Sequence, residues 1–312
     1  MIKAPFPYFG GKSRVAAEVW RRFGDTPNYV EPFFGSGAVL LARPTPPGIE
    51  TINDADGLLV NFWRALRADP DAVAHYADWP VSEIDLHARH AWLRNARADV
   101  ERMLADPGYY DVKAAGWWVW GISCWIGGGW GYVNYKQLPD LRHGGKGINR
   151  KQCPYLGSGG MGINASRAAD LRGYFAALAK RLKRVRITCG DWARVTGPTP
   201  TIHNGLTAVF LDPPYSHGER DASIYAVESG TVAADARQWA IENGVNPLMR
   251  IALCGYDTEH GDAMPDSWEV LRWRTQGGYG NLSDKRGREN KVRETIWFSP
   301  HCLKVRGQLM LL

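Results

Sequence analysis

Asp212-Pro213-Pro214-Tyr215 follows an apolar run, 208–211, that reads as a buried strand ending at the acid. An acid in that position stands at the carboxyl edge of a sheet, where α/β proteins bind their ligands. Two successive prolines fix two φ angles and remove two backbone donors, so the loop is stiff and its carbonyls point outward. An exocyclic aromatic amine is a poor nucleophile because its lone pair is delocalised into the ring. Two acceptors, the Asp212 carboxylate and the Pro213 carbonyl, can bind its two N–H groups and favour a pyramidal, more nucleophilic nitrogen. Tyr215, directly after them, can stack on a base that has been taken out of a helix.

A second cluster lies early in the chain. Glu31-Pro32-Phe33-Phe34-Gly35-Ser36-Gly37 joins a strand to a helix, and small residues there let a ligand approach the backbone and the helix N-terminus. Turns of this kind also occur for packing alone. The next strand ends in Asn53-Asp54, roughly 20 residues past the glycines, where an acid can accept hydrogen bonds from ribose hydroxyls. Together these features point to a nucleoside-containing cofactor. The other role open to Asp54 is to cap the helix that starts near Gly57.

The elements that must hold these residues follow an α/β rhythm. Residues 28–32 and 49–52 read as strands, with a helical run at 38–42 and a proline-rich turn at 44–48 between them. A helix over 58–66 follows, its apolar Leu58, Leu59, Phe62, Trp63 and Leu66 recurring at spacings of three and four. From 69 to 165 the pattern is helical and then irregular, with helices expected at 82–104 and 109–126. Between 127 and 162, glycines alternate with Trp130, Tyr132, Tyr135 and Tyr155 and with Lys136, Arg142, Lys146, Arg150 and Lys151, against the acid Asp140. Loops of this length in a compact enzyme are usually functional. The rhythm resumes with a helix at 167–182, strands at 185–189 and 208–211, a helix at 232–242, and strands at 249–253, 268–273 and 295–298. The expected organisation is one sheet split by an insertion, with boundaries 1–68, 69–165 and 166–312.

In this order the motifs resemble the Dam-like, DPPY-type family of S-adenosylmethionine-dependent N6-adenine DNA methyltransferases. The resemblance rests on Tyr8-Phe9-Gly10-Gly11-Lys12, Glu31 to Gly37, Ile52-Asn53-Asp54-Ala55-Asp56, Gly190-Asp191-Trp192 and Asp212 to Tyr215, and it covers nearly the whole chain. The stretch 291–299, with Glu294 before an apolar strand, is similar to the family's closing strand. The resemblance implies a Rossmann-like α/β sheet with helices on both faces, an inserted, mostly helical and loop-rich target-recognition region, and S-adenosylmethionine as cofactor. It implies that Tyr8 and Lys12 lie at the cofactor and catalytic face, that Phe33, Gly35 and Gly37 hold the methionine moiety, and that Asp54 binds the ribose. Asp191 would lie near the cofactor adenine, and Asp212 between cofactor and target amine. Without the family pattern, Lys12 would be a solvated charge and Asp191 a helix cap.

Double-stranded DNA is the implied partner. The basic, aromatic loop at 127–162 has what phosphate contact and base stacking need. So has the late run Lys285, Arg286, Arg288, Lys291 and Arg293, although either run can instead be a solvated face. Trp117, Trp118, Trp120 and Trp125 read as core. The insertion departs from the better-known family members, so no recognition sequence is implied. The same acceptor geometry would serve cytosine N4, but such enzymes more often carry Ser where Asp212 stands. An inactive DNA-binding relative is the reading from another class, and the intact Asp212 and Tyr215 argue against it.

Composition agrees with these expectations and narrows them little. The chain has 312 residues, 45% of them hydrophobic, enough for one large α/β domain with an insertion or for two modest domains. Its net charge of +6 suits a polyanionic partner without requiring one. Five cysteines, Cys124, Cys153, Cys189, Cys254 and Cys302, show no metal-ligand spacing, so reduced thiols and no metal are expected. The first residues lack an apolar signal core, and no run of about 18 apolar residues appears. The expected location is the cytoplasm.

Overall fold

The computed structural model describes residues 2–8, 11–44, 48–125, 129–132, 154, 163, 170–214, 231–273 and 294–305. The strands are β1 (Asn28–Glu31), β2 (Ile49–Asp54), β3 (Arg186–Cys189), β4 (Thr207–Leu211), β5 (Met249–Tyr256), β6 (Glu269–Arg272) and β7 (Glu294–Phe298). They form a seven-stranded sheet in the order β3-β2-β1-β4-β5-β7-β6. The first five of that order run parallel, and β7 is antiparallel to both β5 and β6. This mixed sheet bears out the expected Rossmann-like α/β class.

Successive strand residues point to opposite faces, and here both faces are dry. Tyr29, Ala208, Phe210, Ala252, Cys254, Ile296 and Phe298 join one apolar cluster. Val30, Val209, Leu211, Ile251, Leu253 and Trp297 join another. That double burial explains why β4 reads as an unbroken apolar run rather than an alternating one. The first face is covered by α1 (Ala16–Phe23), α2 (Ala38–Leu41), α3 (Gly57–Ala68), α4 (Pro70–Ala77), α5 (Glu83–Met103), α6 (Val112–Ile122) and α7 (Leu171–Leu182). The second carries α8 (Val232–Asn243), through Trp239 and Ala240.

Local chemistry sets where the helices begin. Asp56 caps α3 by accepting from Leu58 N–H at 3.0 Å, and Asp69 caps α4 from Ala72 N–H at 3.1 Å, with Pro70 at the first helical position. Ser82 caps α5, and Asp111 caps α6 by accepting from Ala114 N–H at 2.8 Å. The Asp111 cap is why α6 starts later than the expected 109. At its other end α6 stops at Ile122, where the Ser123 hydroxyl donates back to the Val119 carbonyl at 2.8 Å. α1 was not expected, although Ala16, Val19, Trp20 and Phe23 have helical spacing and are all buried. β5 continues past the expected 253 because Cys254, Gly255 and Tyr256 pair with Ile296, Thr295 and Glu294 of β7.

α4 and α6 approach closely at Gly116, where a Cβ would lie 2.4 Å from the Tyr76 Cβ. Trp118 packs edge-on against Phe6, ring centroids 4.9 Å apart, and Trp118, Trp120 and Trp125 are buried as the core reading expects. Among the described residues no helix is long and apolar enough to cross a membrane.

Candidate active site

β1 lies between β2, which follows it, and β4, to which the chain crosses back from edge strand β3, so the strand order reverses beside β1 and a crevice opens at the carboxyl ends of the three strands. Asn53 ties these ends together. Its Nδ2 donates to the carbonyls of Pro32 (3.1 Å) and Gly190 (2.9 Å), and its Oδ1 accepts from the Thr188 hydroxyl at 2.9 Å. The loop after β1 turns through Gly35 (φ +49°) and Gly37 (φ +69°), left-handed conformations that favour glycine. Space demands glycine as well. A Cβ on Gly35 would lie 2.7 Å from the Tyr8 ring, and one on Gly37 2.6 Å from the Phe34 ring.

The crevice is a cavity of about 340 Å³. Of the residues expected at the cofactor, Tyr8, Lys12, Phe33, Gly35, Asp54, Asp191 and Asp212 line it, together with Pro214 of the proposed catalytic loop. Gly37 does not line it; it makes the left-handed turn into α2. Pro213 is buried and is not part of the wall. Glu31, Asn53, Asp56 and Trp192 line the cavity although no role was read for them from sequence. For Trp192 there was a signal, an aromatic residue directly after Asp191.

Of the two roles open to Asp54, the helix cap is taken by Asp56. Asp56 is the cap of α3, while Asp54 accepts from Gly35 N–H through Oδ2 and from Asp56 N–H through Oδ1, both at 3.0 Å. Burial pushes the Asp54 carboxyl up to about 6, although the N–H groups of Asp56 and Gly35 pull the other way. Asp191 both caps and lines: its Oδ1 accepts from Ala193 N–H at 2.8 Å at the start of a 3-10 turn, Trp192–Val195. The Trp192 ring stacks on Phe33, with centroids 5.9 Å apart and planes 30° apart, which makes an aromatic wall beside Asp191.

At the β4 end of the cavity the charges are buried and close. Lys12 is 3% exposed, and its Nζ lies 2.9 Å from Asp212 Oδ2 and 3.8 Å from Glu294 Oε2. It is no solvated N-terminal charge. Burial alone would lower its pKa, but the facing Asp212 and Glu294 carboxylates outweigh that and hold it above the usual lysine value. Burial raises Glu294, and it raises Glu31 well above the carboxylate range even though the Tyr29 hydroxyl donates to Glu31 at 2.8 Å. The wall therefore carries a fixed cation, the Asp212 carboxylate beside it and the Glu31 carboxyl, biased toward the neutral form, with Glu294 behind Lys12 and biased the same way.

A comparison with protein families bears on the same part of the chain. Residues 8–87 match the D12 class N6 adenine-specific DNA methyltransferases. The match indicates an adenine-specific DNA methyltransferase, with DNA as its substrate. It takes in Tyr8, Lys12, the glycine loop and Asp54, while Asp191 and Asp212 reach the same cavity from outside the matched stretch. No curated protein matches the chain. Tyr215, Lys136, Arg142, Lys146, Arg150, Lys151, Lys285, Arg286, Arg288, Lys291 and Arg293 lie outside the described residues.

Proposed function

We propose that this methyltransferase moves a methyl group from S-adenosylmethionine to N6 of an adenine turned out of duplex DNA. The observation that carries the reading is the Asp212 carboxylate, held at 2.9 Å by buried Lys12, on the wall of the same cavity as Asp54, Phe33 and Gly35. The cavity volume, about 340 Å³, is within the range of small-molecule sites. Its wall also matches the cofactor chemically. Asp54 is an acceptor for ribose hydroxyls, Trp192 offers a ring face to the cofactor adenine with Asp191 beside it, and Phe33 and Gly35 border the place of the methionine moiety.

The cofactor, when bound, supplies an electrophilic methyl group on a sulfonium. Lys12 fixes one oxygen of Asp212, and a carboxylate retains further lone pairs with which to accept an N–H of the target amine. The Pro213 carbonyl accepts the second N–H. With both N–H groups held, these acceptors would direct the nitrogen lone pair toward the cofactor's methyl group, which would pass from sulfur to nitrogen with loss of one N–H proton to solvent. Tyr215 stacks on the turned-out base, the basic runs bind phosphates, and region 69–165 supplies target recognition.

Purified protein, cofactor labelled in the methyl group and unmodified duplex DNA provide the test, with the DNA digested to nucleosides afterwards. Label in N6-methyladenine is expected. Label in N4-methylcytosine, or no transfer by folded protein, would overturn the reading.

A further inference from the structure

A second cavity, of about 590 Å³, lies among α4, α5, α6 and the start of α7 and shares no lining residue with the first. We propose that it binds a nucleotide, with Arg89 taking the phosphate and Trp79 the base.

Arg89 is the unusual group. It is 7% exposed, yet its guanidinium carbon has aromatic rings around it: Trp120 at 4.1 Å, and Trp79 and Trp117 at 5.2 Å each. Its Nη1 is buried without a hydrogen-bond partner, and the side chain makes no ion pair among the described residues. Ring faces stabilise a cation but accept no conventional hydrogen bond from its five N–H donors. A desolvated guanidinium is costly unless an anion meets it, and a buried donor left unsatisfied calls for an ion or ligand as its explanation.

Asp85 also lines the cavity and its charge partly offsets the burial of Arg89, but the two form no ion pair among the described residues; Asp85 Oδ2 accepts from the Trp79 indole N–H at 2.8 Å. That bond orients the Trp79 ring, which remains 47% exposed. A half-exposed indole held in place is a stacking platform, and every nucleobase has a face to set on it. Further cations adjoin the site. Arg172 lines it, and Lys113 lies 4.5 Å from the Trp117 ring that also backs Arg89, so the acids Asp78 and Asp85 are balanced. A guanidinium fork matches phosphate oxygens, and the indole matches a base. A nucleotide presents both halves at once, either free or as a unit of an unpaired DNA strand.

Thymidine 5′-monophosphate is the probe, because neither the cofactor cavity nor an adenine-reading pocket is built for thymine. It is titrated by calorimetry into full-length protein saturated with S-adenosylhomocysteine. Saturable binding is expected, with thymidine at least about tenfold weaker because it lacks the charge that Arg89 needs. Arg89→Met and Trp79→Ala should each weaken the monophosphate at least about tenfold and leave S-adenosylhomocysteine affinity unchanged. Trp79→Ala keeps the fold, because the Trp120 indole N–H donates to the Trp79 backbone carbonyl, at 2.9 Å, and not to its ring. That variant decides the matter if Arg89→Met fails to fold. A short oligothymidylate separates the sources: tighter binding that both variants abolish assigns the site to a strand, and binding no tighter than the monophosphate assigns it to free nucleotide. No saturable binding, equal affinity for thymidine, or unchanged affinity in folded Trp79→Ala would overturn the proposal.

Discussion

Lowering the pH from 8 to 5 should weaken S-adenosylmethionine binding about tenfold, and Asp54 should be the cause. Asp54 lines the cofactor cavity with a carboxyl raised by burial to about 6. Only the ionised form gives the ribose hydroxyls a charged acceptor, worth roughly 1.5 to 3 kcal/mol, or about 10- to 150-fold in affinity. With a pKa near 6 the group is about 90% ionised at pH 7 and about 10% at pH 5, so affinity should be flat above pH 7 and fall about tenfold per unit below 6. The sign follows from the raised pKa: the binding-competent form is complete above it and is lost as protons are added. Bound cofactor should in turn lower the pKa by favouring the ionised form. Calorimetric titration of parent and Asp54→Asn at half-unit steps from pH 5 to 8, with circular dichroism to confirm folding, provides the measurement. The variant should bind about 10- to 150-fold more weakly at pH 8, with no slope toward acid. A parent affinity flat between pH 5 and 8, or a variant with the parent's slope, would refute the assignment and leave Asp54 as a brace for the Gly35 loop.

Asp212→Ala should lower methyl transfer by about 10²- to 10³-fold while the protein stays folded, as loss of one preorganised acceptor does; a labelled-methyl assay beside a thermal melt would show it. Lys12→Met should leave the Asp212 carboxylate without its buried cation and cost about 3 to 5 kcal/mol as stability or transfer rate, read by denaturant unfolding and single-turnover kinetics. Gly35→Ala should destabilise by about 1 to 3 kcal/mol, since its Cβ would meet the Tyr8 ring at 2.7 Å in a left-handed backbone, and a companion Tyr8→Ala change should recover only the steric part in chemical unfolding. Replacing Lys136, Arg142, Lys146, Arg150 and Lys151 together should flatten the salt dependence of DNA binding, each lost phosphate contact reducing the slope by about 0.9; equal slopes for mutant and parent would mark the run as a solvated face.

Much of this protein is set by short-range rules that a linear reading can apply. Apolar runs ending in an acid, as at 208–211, announce a strand covered on both faces, and the helix at 58–66 shows its buried stripe in its spacing. Glycines 35 and 37 were legible as a tight turn because only small residues tolerate it, and the stiffness of Asp212-Pro213-Pro214 follows from proline chemistry alone. Element ends were less legible, because they depend on partners elsewhere. β5 runs on through Gly255, a poor strand residue, because β7 offers it a ladder.

The charges and ligand walls were decided only in three dimensions. Nothing local to Lys12 distinguishes a solvated amine from a buried one; its role comes from sheet order, which sets it against Asp212 and Glu294, residues remote in sequence. That Asp54 is not the cap of α3 likewise turned on geometry, since Asp56 stands two residues on and takes the cap itself. Gly37 shares the glycine signature with Gly35, yet only Gly35 lines the cavity. The tryptophans of α6 announced a core in the sequence, but that Trp117 and Trp120 also enclose Arg89, which has no ion pair among the described residues, depended on how α5 and α6 pack. Backbone conformation is governed by neighbours in the chain, whereas Coulomb energy and desolvation depend on distances in space, and those exist only once the chain has folded.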